Sequence, residues 1–140
     1  MDKKHGYGQF QWESGNKYVG NYHKDERQGY GIMEWTDGSK YKGYWVKGTQ
    51  HGIGIMIFPD GVKRAGFFES NIFQLPLKDV DQIGDLADDM PEDILNELIE
   101  YIDTRKRRIA QMKEEGLDVQ SQMLESEQNY MGQEFKPRVD

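Results

Sequence analysis

A Gly-x-Gly pair recurs at Gly6–Gly8, Gly29–Gly31 and Gly52–Gly54, at an interval of 23 residues both times. A fixed period of this length means that each repeat is one small structural unit. Such a unit cannot bury its apolar face alone and must stack on its neighbours. Other landmarks keep the same register. Phe10, Met33 and Met56 align, as do Trp12, Trp35 and Phe58, and the turn glycines Gly15, Gly38 and Gly61. Tyr18 aligns with Tyr41, Gly20 with Gly43 and Gly66, and Tyr22 with Trp45 and Phe68. The next Gly-x-Gly would begin at residue 75, which is Leu75 followed by Pro76, so the array is expected to stop at three copies.

Each copy reads as a β-hairpin. A short alternating run such as Tyr30-Gly31-Ile32-Met33-Glu34-Trp35 is followed by a turn at Ser14-Gly15, Asp37-Gly38 or Asp60-Gly61. Asp-Gly suits a tight hairpin because glycine accepts positive φ without a Cβ clash. A second strand such as Lys40–Trp45 comes next, and a loop of roughly six residues is expected before the next hairpin. Glycine weakens a strand interior. Glycines repeated at fixed places therefore predict bends, or room for an aromatic ring from a neighbour.

This pattern, Gly-x-Gly-x-Met/Phe-x-Trp-x-x-Asp/Ser-Gly-x-x-Tyr-x-Gly-x-Trp/Tyr, resembles the MORN repeat (membrane occupation and recognition nexus) over residues 6 to about 70. The third copy departs from it where Arg64 replaces the tyrosine, as suits a terminal, capping repeat. The resemblance implies a mainly β fold: a single-layer antiparallel meander of three repeats over residues 1–74, each hairpin leaning on the next.

Alternate strand residues point to opposite faces. One face collects Phe10, Trp12, Tyr18, Tyr22, Met33, Trp35, Tyr41, Trp45, Met56, Phe58 and Phe68, the expected structural spine. The other face is polar in the first copy (Gln9, Gln11, Val19, Asn21) and mixed in the second (Ile32, Glu34, Lys42, Tyr44). In the third it is apolar: Ile53, Ile55, Ile57, Ala65 and Phe67. A bare patch of this kind needs a cover. Two covers are open, the chain's own extension and a partner protein or second copy. An Ile55→Asp exchange separates them, since it unfolds the chain in the first case and releases the partner in the second.

The charge is uneven. Residues 1–74 hold ten Lys/Arg against eight Asp/Glu, residues 75–103 one against ten, and residues 104–140 seven of each. An acidic linker is expected over 75–90, with Leu75, Leu77, Val80, Ile83 and Leu86 as sparse anchors. Beyond it lie a helical extension and tail over 91–140. Pro91, Glu92 and Asp93 favour a helix start, and Ile94, Leu95, Leu98, Ile99, Ile102, Ile109 and Met112 recur at helical spacing. Gly116 marks a stop, so the helix is predicted from about Pro91 to Glu115, with a weaker one over 118–130. Arg105–Arg108 reads as a solvated face pairing with Glu100, Asp103, Glu114 and Glu115, or alternatively as a localisation or lipid-binding cluster.

No catalytic constellation stands out. Cysteine is absent, which removes thiolate chemistry and fits a reducing compartment. His5 and His51 occupy equivalent places, with Gln28 in the middle copy, which reads as loop packing. The glycine pairs do not open a helix, as a dinucleotide fingerprint would. The acidic run from Asp79 to Asp89 lacks calcium-loop spacing. No cofactor is expected. No 18-residue apolar run suggests a membrane span, and the N-terminus shows no secretory h-region. The acidic balance disfavours nucleic acid.

The reading is thus a non-enzymatic adaptor that binds protein subunits of a larger assembly, with a homodimer possible. Ile53, Ile55, Ile57, Phe67, Leu95, Leu98, Ile102 and Ile109 are the candidate partner contacts. The MORN resemblance implies a cytoplasmic setting, ciliary, axonemal (radial-spoke-like) or cytoskeletal. It also leaves two alternatives. One is a phosphoinositide-membrane adaptor using Lys17, Lys40, Lys42 and Lys63. The other is a regulatory module acting in trans, since similar repeats precede lipid-kinase and histone-methyltransferase domains.

Overall fold

The computed structural model describes residues 5–117. Seven strands form one antiparallel sheet in sequence order: β1 Gly6–Gln11, β2 Lys17–His23, β3 Glu26–Glu34, β4 Lys40–Val46, β5 Thr49–Ile57, β6 Lys63–Glu69 and β7 Ile72–Pro76. Two 3-10 turns, Val80–Gln82 and Gly84–Asp88, lead to a single helix, α1, Glu92–Glu114. The fold is the mainly β hairpin meander with a C-terminal helix that the repeats and the apolar spacing predict. The helix predicted over 118–130 and the tail lie outside the described residues.

The turn chemistry differs from expectation in two ways. The turn glycines sit inside five-residue loops rather than two-residue turns. In each loop the first residue's N–H donates to the carbonyl of the last, as from Trp12 to Asn16 at 2.9 Å, Trp35 to Ser39 at 2.9 Å and Phe58 to Val62 at 2.8 Å. The six-residue loops between repeats are absent. Lys24-Asp25, Lys47-Gly48 and Ser70-Asn71 each turn the chain in two residues, all with positive φ (50° and 69°, 49° and 80°, 50° and 69°). That is the tight hairpin geometry whose twist matches the flanking strands.

The predicted spine forms one cluster of strand residues joined by the loop residues Trp12, Trp35 and Phe58, with no helix residue in it. Its rings build a ladder across the sheet, edge-on at every step but the tilted Phe68–Phe73 pair. Tyr22 meets Tyr18 at 5.1 Å, Tyr18 meets Trp45 at 5.7 Å, Trp45 meets Tyr41 at 5.0 Å, Tyr41 meets Phe68 at 5.1 Å and Phe68 meets Phe73 at 5.3 Å. Edge-to-face pairs at such distances contribute about 0.5–1.5 kcal/mol each beyond burial. The Arg27 guanidinium lies over the ladder, 5.8 Å from Trp12, 6.0 Å from Tyr18 and 5.0 Å from Trp45, and donates to the Gly48 carbonyl at 2.6 Å. Burial lowers its pKa, partly offset by the tyrosines beside it.

The strand glycines make room for this ladder. A Cβ on Gly31 would fall inside the Tyr18 ring, and one on Gly54 inside the Tyr41 ring. Each tyrosine hydroxyl then reaches past the glycine to donate to a carbonyl, Tyr18 to Asn21 at 2.9 Å and Tyr41 to Tyr44 at 3.1 Å. Burial pushes both phenols up.

β7 extends the sheet past the third copy, with one residue fewer between its start and the position that pairs with the strand glycine. In β2–β3 and β4–β5 the glycine partner pairs are Gly20↔Gly31 and Gly43↔Gly54; in β6–β7 Gly66 meets Pro76 instead. The 23-residue period would have put residue 77 there. Losing one residue moves every later side chain of the strand to the other face. Leu77 accordingly joins the Ile53 and Ile55 cluster, with its N–H donating to Ala65 at 2.9 Å. Phe73 fills the space over Gly66 that a tyrosine fills in earlier copies.

Candidate interaction surface

α1 lies on the face opposite the aromatic spine. Ile94, Leu98 and Ile102 recur at helical spacing on one stripe and pack on Ile53, Ile55, Ala65, Leu77, Ile83 and Met90 in a second core. The extension is therefore the cover of the isoleucine patch. Of the five expected linker anchors, Leu77 and Ile83 are buried, whereas Leu75, Val80 and Leu86 are about half exposed. Asp79 caps the first 3-10 turn through the Asp81 N–H at 3.0 Å, and Lys106 reaches it from α1 at 3.0 Å. Those two contacts, the backbone one first, hold its carboxyl below the usual range.

This placement corrects part of the predicted partner contact. Ile53, Ile55, Leu98 and Ile102 are buried inside the chain's own core and offer no surface. Ile57, Phe67 and Leu95 are half-buried at its margin, and Ile109 is half-buried further along α1. The reason lies in the sequence itself, since the amphipathic stripe of α1 matches the apolar face of the third copy, and the two satisfy each other.

The cover is partial. Equivalent positions grade from bare to buried along the array. Tyr7 is 75% exposed, Tyr30 half-buried and Ile53 buried; Gln9 is exposed, Ile32 half-buried and Ile55 buried. Among the described residues the helix-bearing face is thus open over β1–β3, with a shallow hollow of about 290 Å³ at Val19 and Ile32.

The four lysines singled out for lipid contact share this face. Lys17, Lys40 and Lys63 open β2, β4 and β6, and cross-strand pairs link them in one row: Lys17↔Glu34, Glu34↔Lys40, Lys40↔Ile57 and Ile57↔Lys63. Lys40 lies 3.6 Å from Glu34, and Lys42 bridges to Glu97 of α1 at 3.0 Å. Lys63 ends the row at a groove of about 420 Å³. Its floor is Lys63 and Arg64, and its wall is the side of α1 that carries Glu97, Tyr101, Arg105 and Arg108. Arg64 and Arg105 are buried, with exposures of 6% and 3%.

That burial overturns the solvated-face reading of Arg105. Of its neighbours, Lys106 pairs across to Asp79, Arg107 donates to Thr104 at 3.2 Å and Arg108 to Gln111 at 3.4 Å. A four-residue basic run carries no periodic signal that singles out Arg105. Only its spacing of three and seven from Ile102 and Leu98 points inward. The exposed rings of His5 and His23 pack against each other at 5.1 Å. Among the described residues no group of His, Asp or Glu is placed to hold a metal, and no helix is long and apolar enough to cross a membrane.

A family profile described as MORN repeat matches residues 1–17, 18–40 and 41–63. Residues 1–63 are thus similar to three successive MORN repeats. Comparison with curated proteins found no match. MORN repeats are scaffold-type modules of proteins that bind other proteins or membranes. The profile begins its repeats at Tyr18 and Tyr41, the ladder tyrosines, and ends where Arg64 takes that place. β6 and β7 therefore continue the MORN sheet beyond the matched copies, and the groove sits at that boundary.

Proposed function

We propose that the chain is a non-enzymatic adaptor that binds protein subunits of a larger assembly, in a ciliary, axonemal or cytoskeletal setting. The observation that carries this reading is the half-covered face. Among the described residues α1 seals the third copy and leaves the same face open over β1–β3, beside the helix wall. A rigid sheet with one bare half-face next to a helix suits a partner helix or extended segment.

The lipid alternative fits less well. A helix is about 10–12 Å thick with its side chains, and α1 stands on the very face that bears the lysines. Its outward side carries the exposed Glu92, Asp93 and Asp103. A flat anionic bilayer would meet those carboxylates before it reached the lysines beside α1.

The test is a mild-lysis pull-down of the full chain beside a Val19→Glu, Ile32→Glu variant, read by mass spectrometry. Truncation after Gln74 is unsuitable, because it removes Leu77, Ile83 and α1 and lays Ile53 and Ile55 bare. A protein set held by the parent chain and lost from the folded variant supports the adaptor. An empty pull-down, with both forms floating on phosphatidylserine vesicles, rejects it in favour of the membrane reading.

A further inference from the structure

We infer that the lysine row and the groove form one continuous track for an extended acidic peptide segment of a partner protein. This rests on the adaptor reading and names the chemistry of the partner. The cations are arranged as a line. Lys17, Lys40 and Lys63 sit on alternate strands, so neighbours are about 9–10 Å apart and the row spans about 19 Å. The groove continues from Lys63 along α1 from Glu97 to Arg108, about 16 Å at the helical rise. Three residues of extended chain cover about 9–10 Å. A peptide with Asp or Glu at every third position therefore meets the lysines in step.

The charge balance favours such a ligand despite the net charge of −7. Lys17, Lys40, Lys63, Arg105 and Arg108 face the track against Glu34, Glu97 and Glu100, and Lys42 already engages Glu97 at 3.0 Å. The carboxylates of residues 75–103 that lie on the outside of α1 would repel the same peptide, which confines it to the track. The Tyr101 ring and the hollow at Val19 and Ile32 offer apolar contact between the charges. A single phosphate would reach only one or two of cations strung over about 35 Å.

The test is fluorescence anisotropy on the full chain with a labelled twelve-residue peptide bearing Glu at every third position and Leu between, against its Gln counterpart. Lys63→Glu with Arg108→Glu reverses charge at two side chains outside the core, and near-UV circular dichroism checks that the fold survives. The Glu peptide should bind at least tenfold more tightly than the Gln peptide. The double reversal, and salt raised from 50 to 300 mM, should each weaken it about tenfold, in line with screened multi-charge recognition. Equal binding of the two peptides, or indifference to the reversal, overturns the inference. So does displacement of the peptide by an equal concentration of inorganic pyrophosphate, which would mark a small-anion site. A dimer seen by sedimentation and broken by the reversal would also overturn it, by assigning the track to a second copy. If the peptide fails while the pull-down partners remain bound, this inference falls and the adaptor reading stands; if those partners are absent too, both fall.

Discussion

Truncating Leu98 to alanine tests whether α1 is part of the fold or an appendage to it. Leu98 is fully buried between Ile94 and Ile102 on the helix and Ile53, Ile55 and Ala65 on the sheet. Leu→Ala at sealed sites costs about 3–5 kcal/mol, because the apolar transfer term is lost and the cavity collapses only in part. A domain of this size has about 5–15 kcal/mol in total. With a urea slope of about 1.5–2 kcal/mol per M, the midpoint should fall by about 1.5–3 M. The transition should stay single, since helix and sheet share one core. Near-UV circular dichroism reports the aromatic ladder and far-UV reports the helix, and the two should shift together. Asn96→Ala, on the exposed side of the same helix, serves as control and should stay within about 0.5 kcal/mol. An unchanged ladder transition with early loss of helix signal alone would refute the shared core and restore the isoleucine patch as a partner surface.

Gly54→Ala should cost about 1–3 kcal/mol or more by overpacking, and Tyr41→Phe should rescue it only in part, because the ring carbons as well as the hydroxyl occupy the Cβ position; thermal melts of the double-mutant cycle check this. Phe73→Ala should cost about 3–5 kcal/mol and weaken the near-UV signal, because Phe73 closes the ring ladder over Gly66. Asp79 has a depressed carboxyl pKa, so its stabilising effect is present above the unfolded carboxylate value near 4 and is lost as pH falls through the lower folded value. An acid titration of the full chain should show that loss, and Asp79→Asn should remove it; an identical acid profile in the variant would contradict the assignment.

Much of this architecture is legible in the sequence because it repeats. The 23-residue interval alone places Trp12, Trp35 and Phe58 on one face, and strand alternation puts Ile53, Ile55 and Ile57 on the other. The α1 stripe is equally clear, and its ends fall within a residue of Pro91 and Glu115. The connections are less legible. Lys24-Asp25 and Ser70-Asn71 lack the Asn-Gly or Asp-Gly signature, and only the pairing of the strands on either side forces their positive φ. β7 is hidden for a related reason, since a missing residue breaks the period that makes the other strands visible. Arg105 escapes notice because a run of like charge reads as solvated face, whereas its burial depends on the distance from α1 to β6.

The shortened β7 also sets how long the sheet can grow. A strictly periodic meander has no internal reason to stop, because every last strand offers the next copy a complementary edge. One lost residue changes this in three ways at once. Pro76 takes away an N–H on the terminal strand, the glycine step that would seat another tyrosine is gone, and Leu77 is redirected to anchor the returning chain. The array thus ends by a shift of reading phase rather than by a separate cap domain. Array length in such a system is open to evolution by single-residue insertion or loss at this one position, with the copies before it left untouched.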